Sequence, residues 1–177
     1  MKRKKWAALL VCAALSLSLL AGCGSSGGEF SSFSAKTLDG GSFTQKDIQA
    51  KDVTVVNFWG TFCGPCIAEM PDLTAYSESL PDNVQLITIC LDGANNVELA
   101  KAILDQAGYQ GVTLLSGDQS FANLCFAVQS VPTTMFVDSK GVVCGDPIIG
   151  RQKDLAGAFT ERVNQVLKAG GKPEIAP

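Results

Sequence analysis

Trp59-Gly60-Thr61-Phe62-Cys63-Gly64-Pro65-Cys66 closes an apolar run that begins at Val53. The run reads as a strand buried on both faces, broken by Asn57. The residues that follow, Ile67 to Leu80, read as a helix, so Cys63 falls at a helix N-terminus. Unpaired backbone N–H groups and the helix dipole favour a thiolate there. Such a position lowers a cysteine pKa from ~8.5 towards ~7 or below. Cys66 lies one turn further in, within reach of a mixed disulfide on Cys63. The spacing is that of a two-electron thiol–disulfide switch. Half of a zinc site and a static structural disulfide are the alternatives. Zinc needs two more ligands, and the chain has no histidine and no second CxxC.

The chain opens on an address. Met1-Lys2-Arg3-Lys4-Lys5 is a basic segment, and Trp6 to Leu20 is apolar with small residues interspersed. Residues 1–22 therefore read as an export signal, too short for a comfortable membrane span; an uncleaved N-terminal anchor is the alternative. Leu20-Ala21-Gly22-Cys23 resembles the lipobox of bacterial lipoproteins. That resemblance implies cleavage before Cys23 and a diacylglyceryl group on its sulfur. Either reading places the domain on the extracytoplasmic side. Gly24-Ser25-Ser26-Gly27-Gly28 reads as a flexible tether. The expected organisation is a signal over 1–22, a lipidated cysteine and tether over 23–32, one domain over 33–169 and a flexible tail over 170–177. Folding is expected to begin near Phe30 or Phe33.

The formal charge is −3, and loss of the four basic residues within 1–22, with no acidic residue among them, takes it to −7. An acidic domain offers no electrostatic footprint for nucleic acid or anionic lipid. Membrane attachment then rests on acyl chains. The chain has seven cysteines. With Cys12 in the signal, Cys23 at the anchor and Cys63 and Cys66 in the switch, Cys90, Cys125 and Cys144 remain. One further bridge plus one buried thiol is one reading, and three buried thiols packing as small hydrophobes is the other. If a bridge forms, Cys125 and Cys144 are the expected pair, because both flank the strand predicted at Thr134 to Asp138. Cys90 is better placed as a core thiol.

Around the switch the pattern is α/β. Phe33 to Leu38 and Ser42 to Thr44, joined by Asp39-Gly40-Gly41, read as a hairpin. Pro71 is expected to interrupt the helix after Cys66. Val84 to Leu91 reads as a second buried strand, and Val97 to Ala107 as a helix closed by Gly108. Val112 to Leu115 is extended, and Phe121 to Val128 is a short helix. Thr134 to Asp138 and Val142 to Ile149 form a hairpin across Ser139-Lys140-Gly141, and Leu155 to Leu167 is a last amphipathic helix. The first strand–helix–strand unit should be parallel and right-handed.

That order, with Phe58-Trp59, Cys63-Gly64-Pro65-Cys66, Pro71 and Val131-Pro132-Thr133-Thr134, resembles the thioredoxin fold. The N-terminal hairpin, the helix–strand insertion between Val97 and Leu115, Glu69 and the lipoprotein leader narrow the resemblance. The chain is similar to the TlpA/ResA-like family of membrane-tethered thiol–disulfide oxidoreductases from about Phe33 to Leu167. The resemblance implies a cis peptide bond at Val131-Pro132 facing the CxxC, where it guards the thiols from metal and lets a substrate strand pair alongside. It also implies that Glu69, three residues after Cys66, lies beside the thiols and affects their protonation; a solvated surface charge is the alternative. Asn57 matches the place where cytoplasmic thioredoxins hold a buried aspartate, which leaves Glu69 as the nearby candidate base.

Trp59 is expected to pack against the CxxC with Asp92 accepting from its indole N–H, or simply to fill the core. Phe62 stands where this family often has tryptophan. With Gly64, Pro65, Val131 and Pro132, Trp59 and Phe62 complete the expected substrate surface. Gly64-Pro65 is the dipeptide of reducing thioredoxins, so the expected activity is reduction of disulfides in exported clients through the Cys63/Cys66 dithiol. No cofactor or metal enters that chemistry. The family implies an electron supply from a membrane dithiol carrier of the CcdA/DsbD type. Apocytochrome c, methionine sulfoxide reductase or other exported proteins are the implied clients. A peroxiredoxin and a non-catalytic binding lipoprotein are the competing readings. The peroxidatic motif Pro-x-x-x-Thr/Ser-x-x-Cys fails here, because Val56 and Gly60 stand at its first and fifth positions.

Overall fold

The structure is a computed structural model that describes Phe30 and residues 32–176. The expected signal over 1–22, the lipid attachment at Cys23 and most of the expected tether lie outside the described residues. The elements are β1 (Ser34–Thr37), β2 (Ser42–Thr44), α1 (Gln45–Gln49), β3 (Val53–Trp59), α2 (Gly64–Ser79), β4 (Val84–Cys90), α3 (Val97–Ala107), β5 (Thr113–Gly117), α4 (Gln119–Ala127), β6 (Thr133–Asp138), β7 (Ile148–Ile149) and α5 (Leu155–Ala169). They form a seven-stranded mixed sheet in the order β2-β1-β5-β4-β3-β6-β7. The parallel pairs β3/β4 and β4/β5 carry the crossover helices, and β3/β6 is antiparallel. This is the thioredoxin-like fold expected from the sequence, with its N-terminal hairpin and its helix–strand insertion.

The two-residue period of β3 sorts the core. Val53, Val55 and Trp59 pack with Cys66, Met70 and Leu73 of α2, Ala100 and Leu104 of α3, and Phe159 and Val163 of α5. Val56 and Phe58 point the other way, into a layer with Ile48 of α1 and Phe121 and Leu124 of α4. Asn57 has the parity of Val55 and Trp59, so this one polar side chain of the alternation is aimed at α2. Every residue of β3 is buried, as a central strand requires.

Four details differ from the sequence reading. Helix α2 runs without a break through Pro71. A proline there removes one helical bond, but Cys66, Glu69, Met70, Leu73 and Tyr76 all bury on the same helix, and that buried face holds it together. The strand expected over Val142 to Ile149 is split into an isolated bridge from Val143 to Val137 and the short β7. Gly145, with φ +71°, turns the chain between them. The domain starts before residue 33: Phe30 is fully buried and its N–H donates to Gly141 O at 2.7 Å. The expected flexible tail is instead tied down as far as Ile175, which exchanges two hydrogen bonds with the Asn164 side chain (2.7 and 2.9 Å). Lys172 also pairs with Asp52 at 2.9 Å. No helix among the described residues is long and apolar enough to cross a membrane.

Candidate active site

Cys63 is the N-cap of α2, with Gly64 and Pro65 opening the helix. Proline suits that position because its missing N–H has no helical partner to lose. Cys63 and Cys66 are joined by a disulfide with Cα atoms 5.3 Å apart. The Cys66 N–H points at Cys63 Sγ from 3.2 Å. In the reduced form that N–H, with the helix dipole, stabilises negative charge on Cys63. Cys63 is 6% exposed, while Cys66 is fully buried. An incoming disulfide therefore meets Cys63 first.

The Val131–Pro132 peptide bond is cis. It brings the Val131 carbonyl oxygen to 3.6 Å from Cys63 Sγ. Beyond it, β6 begins and pairs with β3 from Thr133 opposite Phe58 to Asp138 opposite Val53. On the outer side Gly150 N–H donates to Pro132 O at 2.8 Å. The proline is thus held between the sheet and the chain that leaves β7.

Glu69 is 2% exposed. The solvated-surface alternative is excluded, because the side chain points into the sheet. Asn57 Nδ2 donates to Glu69 Oε1 at 3.1 Å and to Thr134 Oγ1 at 3.0 Å. Burial pushes the Glu69 carboxyl up to about 7, against the opposing pull of the Asn57 hydrogen bond and the Arg151 charge. A carboxyl that titrates near neutrality, one helical turn from Cys66, can take and return a proton at working pH.

Trp59 is fully buried, so it supports the CxxC from beneath and cannot belong to the substrate surface. The expected bond from its indole to Asp92 does not form; Trp59 Nε1 has no hydrogen-bond partner. Asp92 instead accepts from the Thr61 N–H at 2.9 Å and from the Thr61 hydroxyl. It thereby fixes the loop that leads into Cys63. Phe62 is 71% exposed. Its ring folds over Gly60, where a Cβ would come within 2.5 Å of the ring. Gly64 and Pro65 are exposed and Val131 is half-buried. These residues and Phe62 form the open rim of the disulfide.

Known proteins resemble this chain in sequence and in fold. Residues 26–145 match the AhpC/TSA family. Thioredoxin-like protein YneN of Bacillus subtilis is 32% identical over 112 residues, which are 63% of this chain and 64% of YneN; the chain spans slightly less than two thirds of that relative. Thiol-disulfide oxidoreductase ResA of Bacillus thuringiensis is 30% identical over 71% of this chain and 70% of that protein. The chain belongs to the AhpC/TSA family, among the ResA-like thiol–disulfide oxidoreductases. The solved structure of MTB DsbF superposes with a TM-score of 0.62 at 29% identity, over 77% of this chain and 96% of that one.

In this ResA-like chain the remaining cysteines depart from expectation. Cys125 is a free thiol, so the expected Cys125–Cys144 bridge is absent. Cys144 is disulfide-bonded, and not to Cys125. Nearness in sequence around β6 does not make their side chains converge, which a bridge requires. Cys90 is the buried free thiol expected. Sequence reasoning placed Asn57 but not its bridging role, and it missed Thr134 and Arg151. The parity of Asn57 within β3 was the available signal for the first. The others come from segments distant in sequence.

Proposed function

We propose that this chain is a lipid-anchored, extracytoplasmic oxidoreductase that reduces disulfides of exported client proteins. The observation that carries the reading is the asymmetry of the pair: Cys63 keeps 6% of its surface open and is capped by the Cys66 N–H, and Cys66 is fully buried behind it. The Cys63 thiolate attacks one client sulfur, and the client S–S bond breaks to release a first thiolate. Cys66 then attacks the Cys63 sulfur, the mixed disulfide breaks, and the second client thiolate leaves. Two electrons pass to the client. The two protons of the enzyme thiols end on the client thiols, and Glu69 carries that of Cys66. Phe62, Gly64, Pro65 and Val131 form the surface on which the client lies; Pro132, expected there from the sequence, is buried behind Val131. A membrane dithiol carrier of the CcdA/DsbD type re-reduces the pair, and apocytochrome c, methionine sulfoxide reductase or other exported proteins are the clients. Cys23, modified after cleavage of 1–22, holds the protein at the membrane through its acyl chains, each buried CH₂ contributing ~0.8 kcal/mol.

The peroxidase alternative lacks its threonine or serine and its proline, with Gly60 where the hydroxyl should be and Val56 in place of the proline. The binding-lipoprotein alternative needs no reactive pair. Reduction of insulin by the purified protein with dithiothreitol as donor is the test. Turnover that disappears in Cys63→Ser supports the proposal. Peroxide consumption without insulin reduction would replace it with the peroxidase reading, and neither activity would favour the binder. Fatty-acid labelling that is lost in Cys23→Ala tests the anchor separately.

A further inference from the structure

The segment after β7 crosses towards α2. Ile149 pairs with Thr133, Gly150 N–H donates to Pro132 O at 2.8 Å, and Gln152 Nε2 donates to Gly150 O at 2.8 Å. Gly150 has φ +81°, a conformation that glycine adopts freely. Arg151 is thereby anchored through its neighbour to the cis-proline loop while its side chain reaches α2. Its Nη2 lies 3.7 Å from Asp72 Oδ2, with the two side chains 49% and 55% exposed. Asp72 is one helical turn beyond Glu69. A half-exposed pair at that distance contributes little to stability, so its placement needs another account.

The groups that act on Glu69 come from three segments: Asn57 of β3, which also donates to Thr134 of β6, Asp72 of α2, and Arg151 of the loop after β7. Among these, Arg151 alone is positive. We propose that Arg151 is a positioning residue for disulfide exchange: its guanidinium, held against α2 at Asp72, one turn from Glu69, supplies the charge that lets this buried carboxylate ionise and accept the Cys66 proton. Asp72 acts in opposition, steering the guanidinium and repelling the Glu69 charge. In the step concerned, the Cys66 S–H proton moves to the Glu69 carboxylate. The sulfur electron pair attacks Cys63, and the Cys63–client bond breaks with its electron pair leaving on the client sulfur. The inference rests on Glu69 as the proton carrier of the proposed function. It adds a charge anchored to the loop whose Val131 would meet the client.

The test separates the two. In the oxidised protein the Cys63–Cys66 pair does not titrate, so carbon-13 NMR of the Glu69 carboxyl reads that group without a client. Arg151→Gln is expected to raise its midpoint by ~0.5 pH unit at low salt. Asp72→Asn is expected to lower it, Arg151→Lys to leave it near the wild-type value, and 1 M salt to shrink the shift, since the screening length there is ~3 Å. The pH profile of insulin reduction should move in the same direction, and not at all when Arg151→Gln is combined with Glu69→Gln. A midpoint unmoved by Arg151→Gln, or moved equally by Arg151→Lys, overturns the role of Arg151 alone. A midpoint that moves while the exchange profile stays fixed overturns Glu69 as proton carrier, and Arg151 with it.

Discussion

Glu69 and Asp92 are both carboxylates within one turn or loop of the cysteine pair, and they are held in opposite ways. Glu69 follows Cys66 on α2, is almost wholly buried, and accepts from the single amide of Asn57. Asp92, just beyond β4, accepts from the Thr61 amide and hydroxyl, from Cys90 Sγ at 3.4 Å and from Asn96 Nδ2 at 3.1 Å. Burial raises the Glu69 carboxyl to about 7. Burial also acts against the charged form of Asp92, but the Thr61 and Cys90 hydrogen bonds outweigh it and hold that carboxyl below its usual range. The same functional group thus serves two ends. Where donors are plentiful it stays ionised and fixes a loop; where they are scarce burial raises it towards neutrality, as the proposed proton carrier requires.

The largest effect expected is on the chemistry both carboxylates serve. Cys66→Ser should trap mixed disulfides with clients, Cys63→Ser should trap none, and both should reduce insulin turnover to background. Mixed disulfides on Cys66 in the Cys63→Ser protein would reverse the order of attack and with it the significance of Glu69 standing beside Cys66.

The second break is thermodynamic. The Glu69 carboxyl binds its proton more tightly when folded, so its contribution to stability is fully present below about pH 4.5, the ordinary glutamate value, and is lost as pH rises through about 7. Glu69→Gln should remove that fall and make the protein more stable than wild type by ~3 kcal/mol at pH 8. Urea melts at pH 5 and pH 8 measure it. The same variant should lose the neutral limb of its exchange–pH profile. Asp92 has the opposite sign: its contribution is present above about 3.8 and is lost as pH falls below it.

The comparison also marks how much of the molecule its sequence discloses. The CxxC, its strand–helix setting, the cis proline and the thioredoxin-like order all lie in local patterns or in a resemblance carried by contiguous residues. Glu69 was legible as a candidate, but not its burial, because a residue three places after Cys66 shares a helix face without revealing what covers it. Its partner is Asn57, and that amide is in turn bonded to Thr134, 77 residues further on. Asp92 was matched to the wrong donor for the same reason. A residue just past one strand meets several groups from the next loop, and the Thr61 hydroxyl and amide satisfy it better than an indole held in the core. The Cys125–Cys144 bridge failed because sequence separation sets loop entropy and says nothing of Cβ direction.

A third substitution sharpens the contrast. Asp92→Ala removes the acceptor of the Thr61 N–H and frees the loop before Cys63. It should destabilise the protein by ~1–2 kcal/mol, without displacing the midpoint of the exchange–pH profile. A displaced midpoint would make Asp92 a second proton-handling group and erase the distinction from Glu69.

The smallest expected effect is a silence. Cys90 lies against Asp92, and burial, followed by the hydrogen bond and charge of Asp92, pushes its thiol up to about 12. Burial alone pushes Cys125 up to about 11. At pH 8 their thiolate fractions are then about one in ten thousand and one in a thousand, so neither competes with a Cys63 thiolate capped by a helix N-terminus. Brief iodoacetamide treatment of the reduced native protein, read by peptide mass spectrometry, should modify Cys63 and leave Cys90 and Cys125 unmodified. Asp92→Asn should not awaken Cys90, because burial, the larger of the two causes, persists when the charge is gone. Rapid labelling of Cys90 in that variant would show that Asp92 restrains a reactive thiol as well as a loop, and would bring Asp92 back into the chemistry from which its hydrogen bonds exclude it.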